Sequence, residues 1–133
     1  GWRRIMTRDR RAAESRGRQA ELAAALWLML KGYRILARRA KTGAGELDLV
    51  ARKGGVLAIV EVKARATIDA GLHAISPQQQ MRIMRGASSF AGRRRELAGL
   101  AIRYDLMIIR PWRMPHHVRQ FFWPEGVRAT DFN

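Results

Sequence analysis

The chain has 133 residues, 47% hydrophobic and 28% charged, with 26 Lys and Arg against 11 Asp and Glu and a formal charge of +15. This balance excludes a disordered chain, which lacks the apolar residues to build a core, and the length fits one domain with a genuine core. With no cysteine, a disulfide framework, a thiolate metal site and a cysteine nucleophile are all excluded.

The positive excess is mostly arginine, whose planar fork suits phosphate, so a polyanionic partner is expected. Nucleic acid is the first choice, with an anionic membrane surface the weaker one and an arginine-rich coding bias the bland alternative. Ala20–Leu30 is too short for a membrane span. The basic opening Gly1–Arg11 lacks the apolar core of a signal peptide behind it. The expectation is a cytoplasmic protein with no membrane association.

Taken in chain order, residues 1–10 are basic and without apolar periodicity, which reads as an arm, and residues 11–133 as a single domain. Helix formers dominate Arg11–Lys31, with Leu22, Ala25, Leu26 and Met29 at helical spacing as the expected core-facing stripe. Gly32 reads as a left-handed cap with Tyr33 folding back. Three strands follow: Tyr33–Arg39, Glu46–Arg52 and Val56–Ala64, joined by turns at Lys41–Gly45 and Lys53–Gly55. Ala66–Ile75 reads as a loop. Ser76-Pro77-Gln78-Gln79 is a helix start with a capping box, and that helix runs to about Gly92 with Met81, Ile83, Met84, Ala87 and Phe90 inward. Ile102–Arg110 reads as a buried strand and His117–Trp123 as an edge strand. The order implies an α/β fold: a mixed β-sheet flanked by helices.

Within the second and third strands stand charges that do not belong in apolar runs. Asp48 lies in Glu46-Leu47-Asp48-Leu49-Val50-Ala51, and Glu61 and Lys63 lie in Val60-Glu61-Val62-Lys63. A buried charge is costly unless it is paired or holds a metal. Glu61 and Lys63 are two residues apart, so they share a strand face. Two acids and a cation at one cleft suit a hard divalent metal and phosphodiester chemistry. The other reading of the same residues is an ion pair of Glu61 with Lys63, and of Asp48 with an arginine. Glu21 shares a helix side with Ala24, Ala25 and Leu28, which fits either a further site acid or a solvated glutamate. Adjacent His116 and His117 face opposite ways on a strand, and Asp105 suits a structural salt bridge. Trp112, Phe121, Phe122 and Trp123 suit either base stacking or the core.

Asp48 with Glu61-Val62-Lys63 matches the PD-(D/E)xK nuclease signature in its loose form. Ala20-Glu21, Gly32-Tyr33-Arg34-Ile35-Leu36, the run Gly45–Ala51, the run Val60–Arg65 and Arg103-Tyr104-Asp105 together resemble the YraN-type family of uncharacterised small proteins. That family is related to archaeal Holliday-junction resolvases and other restriction-endonuclease-like nucleases. The resemblance spans roughly Arg16 to Ile109. It implies a restriction-endonuclease-like core and a Mg²⁺-dependent (or Mn²⁺-dependent) endonuclease acting on DNA, with branched or structured DNA in view. Asp48 and Glu61 would then be the metal-binding acids together with the Val62 carbonyl. Lys63 would be the third signature residue and Glu21 the helix acid completing the site. Arg65, Gln79 and Arg82 would face nucleic acid, and Glu46 would be a rival ligand. Many relatives carry a lysine near the start of the second helix where this chain has Gln78-Gln79-Gln80, which puts the phosphate-handling role of that position in question. Cutting two strands symmetrically would need a homodimer. The alternatives are a non-catalytic nucleic-acid-binding module on the same fold and an RNA- or ribosome-associated basic protein.

Overall fold

Helix formers run from the start of the chain to Leu30. The computed structural model, which describes residues 2–122 and side chains from Thr7 onward, has one helix there, α1 (Trp2–Leu30). The stretch expected as a basic arm is therefore helical from Trp2, because its arginines and Met6 have good helix propensity and no proline interrupts them. Gly32, at φ +90, ends the helix as expected. Its N–H donates to the Met29 carbonyl at 3.0 Å and that of Tyr33 to the Leu28 carbonyl at 2.9 Å.

The face that α1 buries shares only Ala25 with the expected stripe. Ala20, Ala24, Ala25 and Leu28 are inside, while Leu22, Leu26 and Met29 are 47–49% exposed. Both sets recur at helical spacing, but on different sides of the helix. The alanine side wins because small side chains let the helix axis lie close to the sheet. Glu21 falls between these alanines in projection, at about 100° per residue, and is carried toward the sheet with them.

Strands β1 (Arg34–Thr42), β2 (Gly45–Lys53), β3 (Val56–Ala64), β4 (Ala101–Ile109) and β5 (His116–Phe122) lie side by side in that order. Neighbours are antiparallel except β3 and β4, which run parallel through the crossover helix α3 (Pro77–Gly92). The sheet is thus mixed and flanked by helices. On one face α1 packs on Leu49, Ala51, Ala58 and Val60; on the other α3 packs on Val50, Leu57 and Ile59. β1 starts one residue later and runs three residues further than expected, leaving only Gly43-Ala44 between the strands. Within the expected loop at 66–75 stands a short helix, α2 (Ile68–Leu72), capped by the Thr67 hydroxyl accepting the Ala70 N–H at 3.1 Å. Its Gly71 is where α2 meets β4, since a Cβ there would lie 2.6 Å from the Ile108 side chain.

The capping box of α3 forms in both directions. Ser76 Oγ accepts the Gln79 N–H at 3.2 Å, and Gln79 Oε1 accepts the Ser76 N–H at 2.9 Å. Ile83, Ala87 and Phe90 are buried as expected, but Met81 is 50% exposed. It sits two positions, about 200°, round the helix from Ile83. Phe122 is also core, stacked on Tyr104 at 4.9 Å, whereas Trp112 is fully exposed and Trp123 lies outside the described residues.

The β4–β5 edge is fastened by a buried polar network rather than by apolar contact. Asp105, fully buried, accepts from Arg103 Nε at 2.8 Å and Nη2 at 2.7 Å, from His117 Nε2 at 2.8 Å and from the Gln120 N–H at 3.1 Å. Lys31 Nζ stands 2.6 Å from His117 Nδ1. An ammonium can only donate, so Nδ1 accepts and Nε2 carries the proton given to Asp105. Arg103 also donates to the Tyr33 hydroxyl. Burial alone would push the Asp105 carboxyl up, but the hydrogen bonds from His117 and Arg103 outweigh it and hold it below the usual carboxylate range. Stability from this group is therefore complete above the ordinary value of 3.8 and is lost as pH falls through the depressed one. Asp105→Ala leaves Arg103 and His117 buried without their acceptor and is expected to cost ~3–5 kcal/mol in denaturant unfolding at neutral pH. Its deficit should shrink in acid; a loss independent of pH would contradict the network.

Candidate metal and nucleic-acid site

The site is built by a hairpin that pairs and then parts. β2 and β3 are in register from Lys53↔Val56 to Leu49↔Val60. On this pairing Asp48 and Glu61 come next; Glu61 keeps the parity of Ile59, which faces α3, while alternation breaks in β2, where Leu47 and Val50 both pack on the α3 side. The ladder stops there. Instead of a backbone carbonyl, the Asp48 carboxylate takes the Val62 N–H, with Oδ2 at 2.9 Å. β3 stays in place because its other edge remains paired with β4 as far as Ala64↔Ile109.

The two acids meet in the gap. Glu61 hydrogen-bonds Asp48 side chain to side chain, and Glu61 Oε2 is buried with no hydrogen-bond partner. Burial pushes Glu61 up to about 9, with the neighbouring Asp48 charge adding to it. Burial also raises Asp48, partly offset by the bonds from Val62 and Glu61. Glu61 thus keeps its proton at neutral pH and turns it toward Asp48. Lys63 is near enough to draw both acids down and Glu21 near enough to push both up. The alternative set of ion pairs does not form, since neither Asp48 nor Glu61 is in an ion pair among the described residues.

Glu21 is held by Arg39, whose Nε lies 2.6 Å from Oε2. Arg39 stands opposite Asp48 on β1 with φ +51, a conformation uncommon for a side chain of its size. Sequence reasoning missed it: among so many arginines nothing marks this one. With Glu21 so engaged, no three His, Cys, Asp or Glu side chains among the described residues converge as a metal-holding cluster. The groups here that could hold a divalent cation are the orphaned Oε2 of Glu61, the Asp48 carboxylate and the Val62 carbonyl, all hard oxygen donors.

In front of Glu61 opens a cleft of about 190 Å³ lined by Gly45, Glu46, Glu61, Gln79, Arg82 and Ile83. Gln79 and Arg82 therefore share the cleft with Glu61. The Gln79 oxygen is taken by the helix cap, leaving its amide NH₂ as a donor. Glu46 also lines the cleft and is exposed, as a rival ligand should be. Arg65 does not: it lies on the α1 side, in a second groove with Arg16 and Arg110. His117 belongs to the Asp105 network, and His73 Nδ1 lies 2.8 Å from the Asp69 carbonyl.

The model of the Uncharacterised protein family UPF0102 matches residues 20–109, a span that includes Glu21, Arg39, Asp48, Glu61 and Lys63. A UPF0102 protein of Maricaulis maris is 52% identical over 126 residues, 95% of this chain and 98% of the relative. One of Paramagnetospirillum magneticum is 50% identical over 116 residues, 84% and 90% respectively. One of Bartonella bacilliformis is 45% identical over 118 residues, 89% and 97%.

The raised Glu61 pKa has a definite sign. Its contribution to stability is complete below the ordinary value of 4.5 and is lost as pH rises through about 9. In chelator, denaturant stability is expected to fall as pH is raised from about 5 to about 9, and Glu61→Gln, which keeps the hydrogen bond without the ionisation, to flatten that slope. An unchanged slope in the variant would contradict a shared proton between Glu61 and Asp48.

Proposed function

The chain belongs to the UPF0102 family, and from that footing we propose that it is a Mg²⁺- or Mn²⁺-dependent endonuclease hydrolysing DNA phosphodiesters, with branched or structured DNA as the substrate class. One observation carries the reading: Asp48 and Glu61 are pressed together where β2 and β3 part, with one Glu61 oxygen buried and unpartnered. Two desolvated acids sharing a proton are a site in want of a cation, and a divalent ion replaces that proton with more charge.

Asp48, Glu61 and the Val62 carbonyl would hold the metal, which when bound supplies Lewis-acid stabilisation of charge on the phosphoryl oxygens. Lys63, on the same strand face as Glu61, presents an ammonium to the charge that builds in the transition state. Glu21 stays on Arg39, adding negative charge at the site without joining the inner set. Across the cleft, the Gln79 amide and Arg82 donate to the phosphate beside the scissile one. A cytoplasmic setting belongs to the same proposal; no helix among the described residues is long and apolar enough to cross a membrane.

The second reading, a nucleic-acid-binding module without catalysis, is favoured by the engagement of Glu21 with Arg39 and the lack of a three-side-chain cluster among the described residues. Duplex, single-stranded and four-way-junction DNA incubated with protein and either metal separates the two. Cutting should require the metal, disappear with Glu61→Ala and fall roughly 10²–10³-fold with Lys63→Ala. Tight binding with no cutting under either metal would decide for the module.

A further inference from the structure

On the face of the sheet opposite the Glu61 cleft, α1 and the ends of β3 and β4 enclose a groove of about 390 Å³. Three arginines line it, Arg16, Arg65 and Arg110, together with apolar Ala66, Ile109 and Pro111. The groove begins at Ala64, one residue beyond Lys63 on the strand that carries the acids. Arg65 Nη1 donates to the Ala64 carbonyl at 2.8 Å and Arg110 Nη2 to the Met114 carbonyl at 3.4 Å. Each guanidinium is thereby anchored to backbone with further N–H groups to spare. One of them, Arg110 Nε, is buried with no acceptor, a costly condition that an anionic oxygen would relieve.

Directly after Pro111 comes Trp112. It is 102% exposed, at φ +59 in the turn between β4 and β5. A large aromatic held out in water, on a backbone conformation that such residues rarely adopt, loses burial energy and carries strain. An indole in that position offers both faces for stacking.

We propose that this groove and Trp112 form a subsite for an unpaired nucleotide next to the scissile phosphodiester, the base stacking on Trp112 and the apolar lining and the phosphate held by Arg16, Arg65 and Arg110. The assignment rests on the nucleic-acid reading given above and adds to it a preference and the residues that read it. A bare phosphate would make no use of the apolar lining or of the indole. A base inside a duplex is stacked on both sides and cannot reach them. The groove's accessible lining is mainly apolar, which suits a base as well as a phosphate. A strand passing the two acids meets Gln79 and Arg82 on the α3 side and this groove on the α1 side, so the sheet end would be gripped from both faces.

The test is equilibrium binding by fluorescence anisotropy, in chelator so that no cutting occurs, to a labelled duplex and to the same duplex bearing a single-stranded flap. The full chain should prefer the flap. Trp112→Ala should weaken flap binding roughly 5–100-fold, the worth of one stacked base, with little change on duplex, and Trp112→Phe should restore most of it. Trp112 is fully exposed, so these variants keep the fold. Arg16→Ala with Arg110→Ala should lower the log–log salt slope on the flap by about 0.7, the share of one single-strand phosphate. Ala66→Leu, filling the groove at constant charge, should remove the preference as well. Equal binding of duplex and flap by the unaltered protein would overturn the subsite, as would Trp112→Ala acting on both alike. So would variants that lose only phosphatidylserine vesicles, which would make the groove a lipid site. Because no metal is present, an inability to cut DNA leaves this result standing; cutting that is indifferent to Trp112 and Ala66 removes the subsite and leaves the enzyme.

Discussion

Everything at the candidate site depends on one exchange of partners: the Val62 N–H bonds to the Asp48 carboxylate rather than to a β2 backbone carbonyl. A strand ladder left intact would have kept Asp48 and Glu61 as an ordinary cross-strand pair of like charges, a destabilising arrangement. Breaking the ladder at that point opens the cleft and brings the two carboxyls into contact. It also leaves the next stretch of β3 free on one edge. The break is tolerated because the parallel partner β4 holds β3 along its whole length. A two-stranded hairpin alone would fray there.

That support passes the burden to β4, whose own far edge is closed by β5 through the Asp105 network. The chain of dependence runs from Lys31 at the end of α1, through His117 and Asp105, to the strand that steadies Glu61–Lys63. Between the same strands and α1 lies the alanine face. Ala20, Ala24 and Ala25 bring Glu21 to the sheet, where Arg39 meets it. A bulkier buried face would lift the helix, and Glu21 with it, away from the acids. The exposed leucines on the other side of α1 play no part in this placement.

What the sequence made legible, and what it did not, follows from the range of the forces involved. Asp48, Glu61 and Lys63 could be read because a charge in an apolar run is anomalous within a few residues of itself. The α3 cap, Ser76 with Gln79, is equally local. The stripe Leu22, Leu26 and Met29 misled because periodicity says that a side is apolar, not which of two apolar sides the sheet will take; shape decided, and favoured alanine. Arg39 and the Lys31–His117–Asp105 chain were invisible for a different reason. Each joins residues between 12 and 86 positions apart, and only the register of five strands brings them together. Arg65 looked like a companion of Glu61 by strand parity. It lies instead in the α1-side groove, because beyond Lys63 the strand is ending and alternation no longer dictates direction.

The sign of the electrostatics at the site is opposed to that of the whole chain, and the opposition is informative. A formal charge of +15 should favour ionised carboxylates everywhere, yet Asp48 and Glu61 are both shifted toward the protonated form. The reason is distance. Surface arginines act through water and are screened within about 8–10 Å in physiological salt, whereas burial and a second acid in contact act with little screening. Lys63 pulls on both acids, and among the described residues it is in an ion pair with neither. The local want of positive charge therefore survives in a protein with a large surplus of it. A small divalent ion that enters the gap can meet that want; a guanidinium on the rim cannot, because it would have to shed its hydration and displace β2. On the proposed reading the surplus would have a separate use, drawing a polyanion along the arginine surface to a centre that stays acidic until a cation is in place.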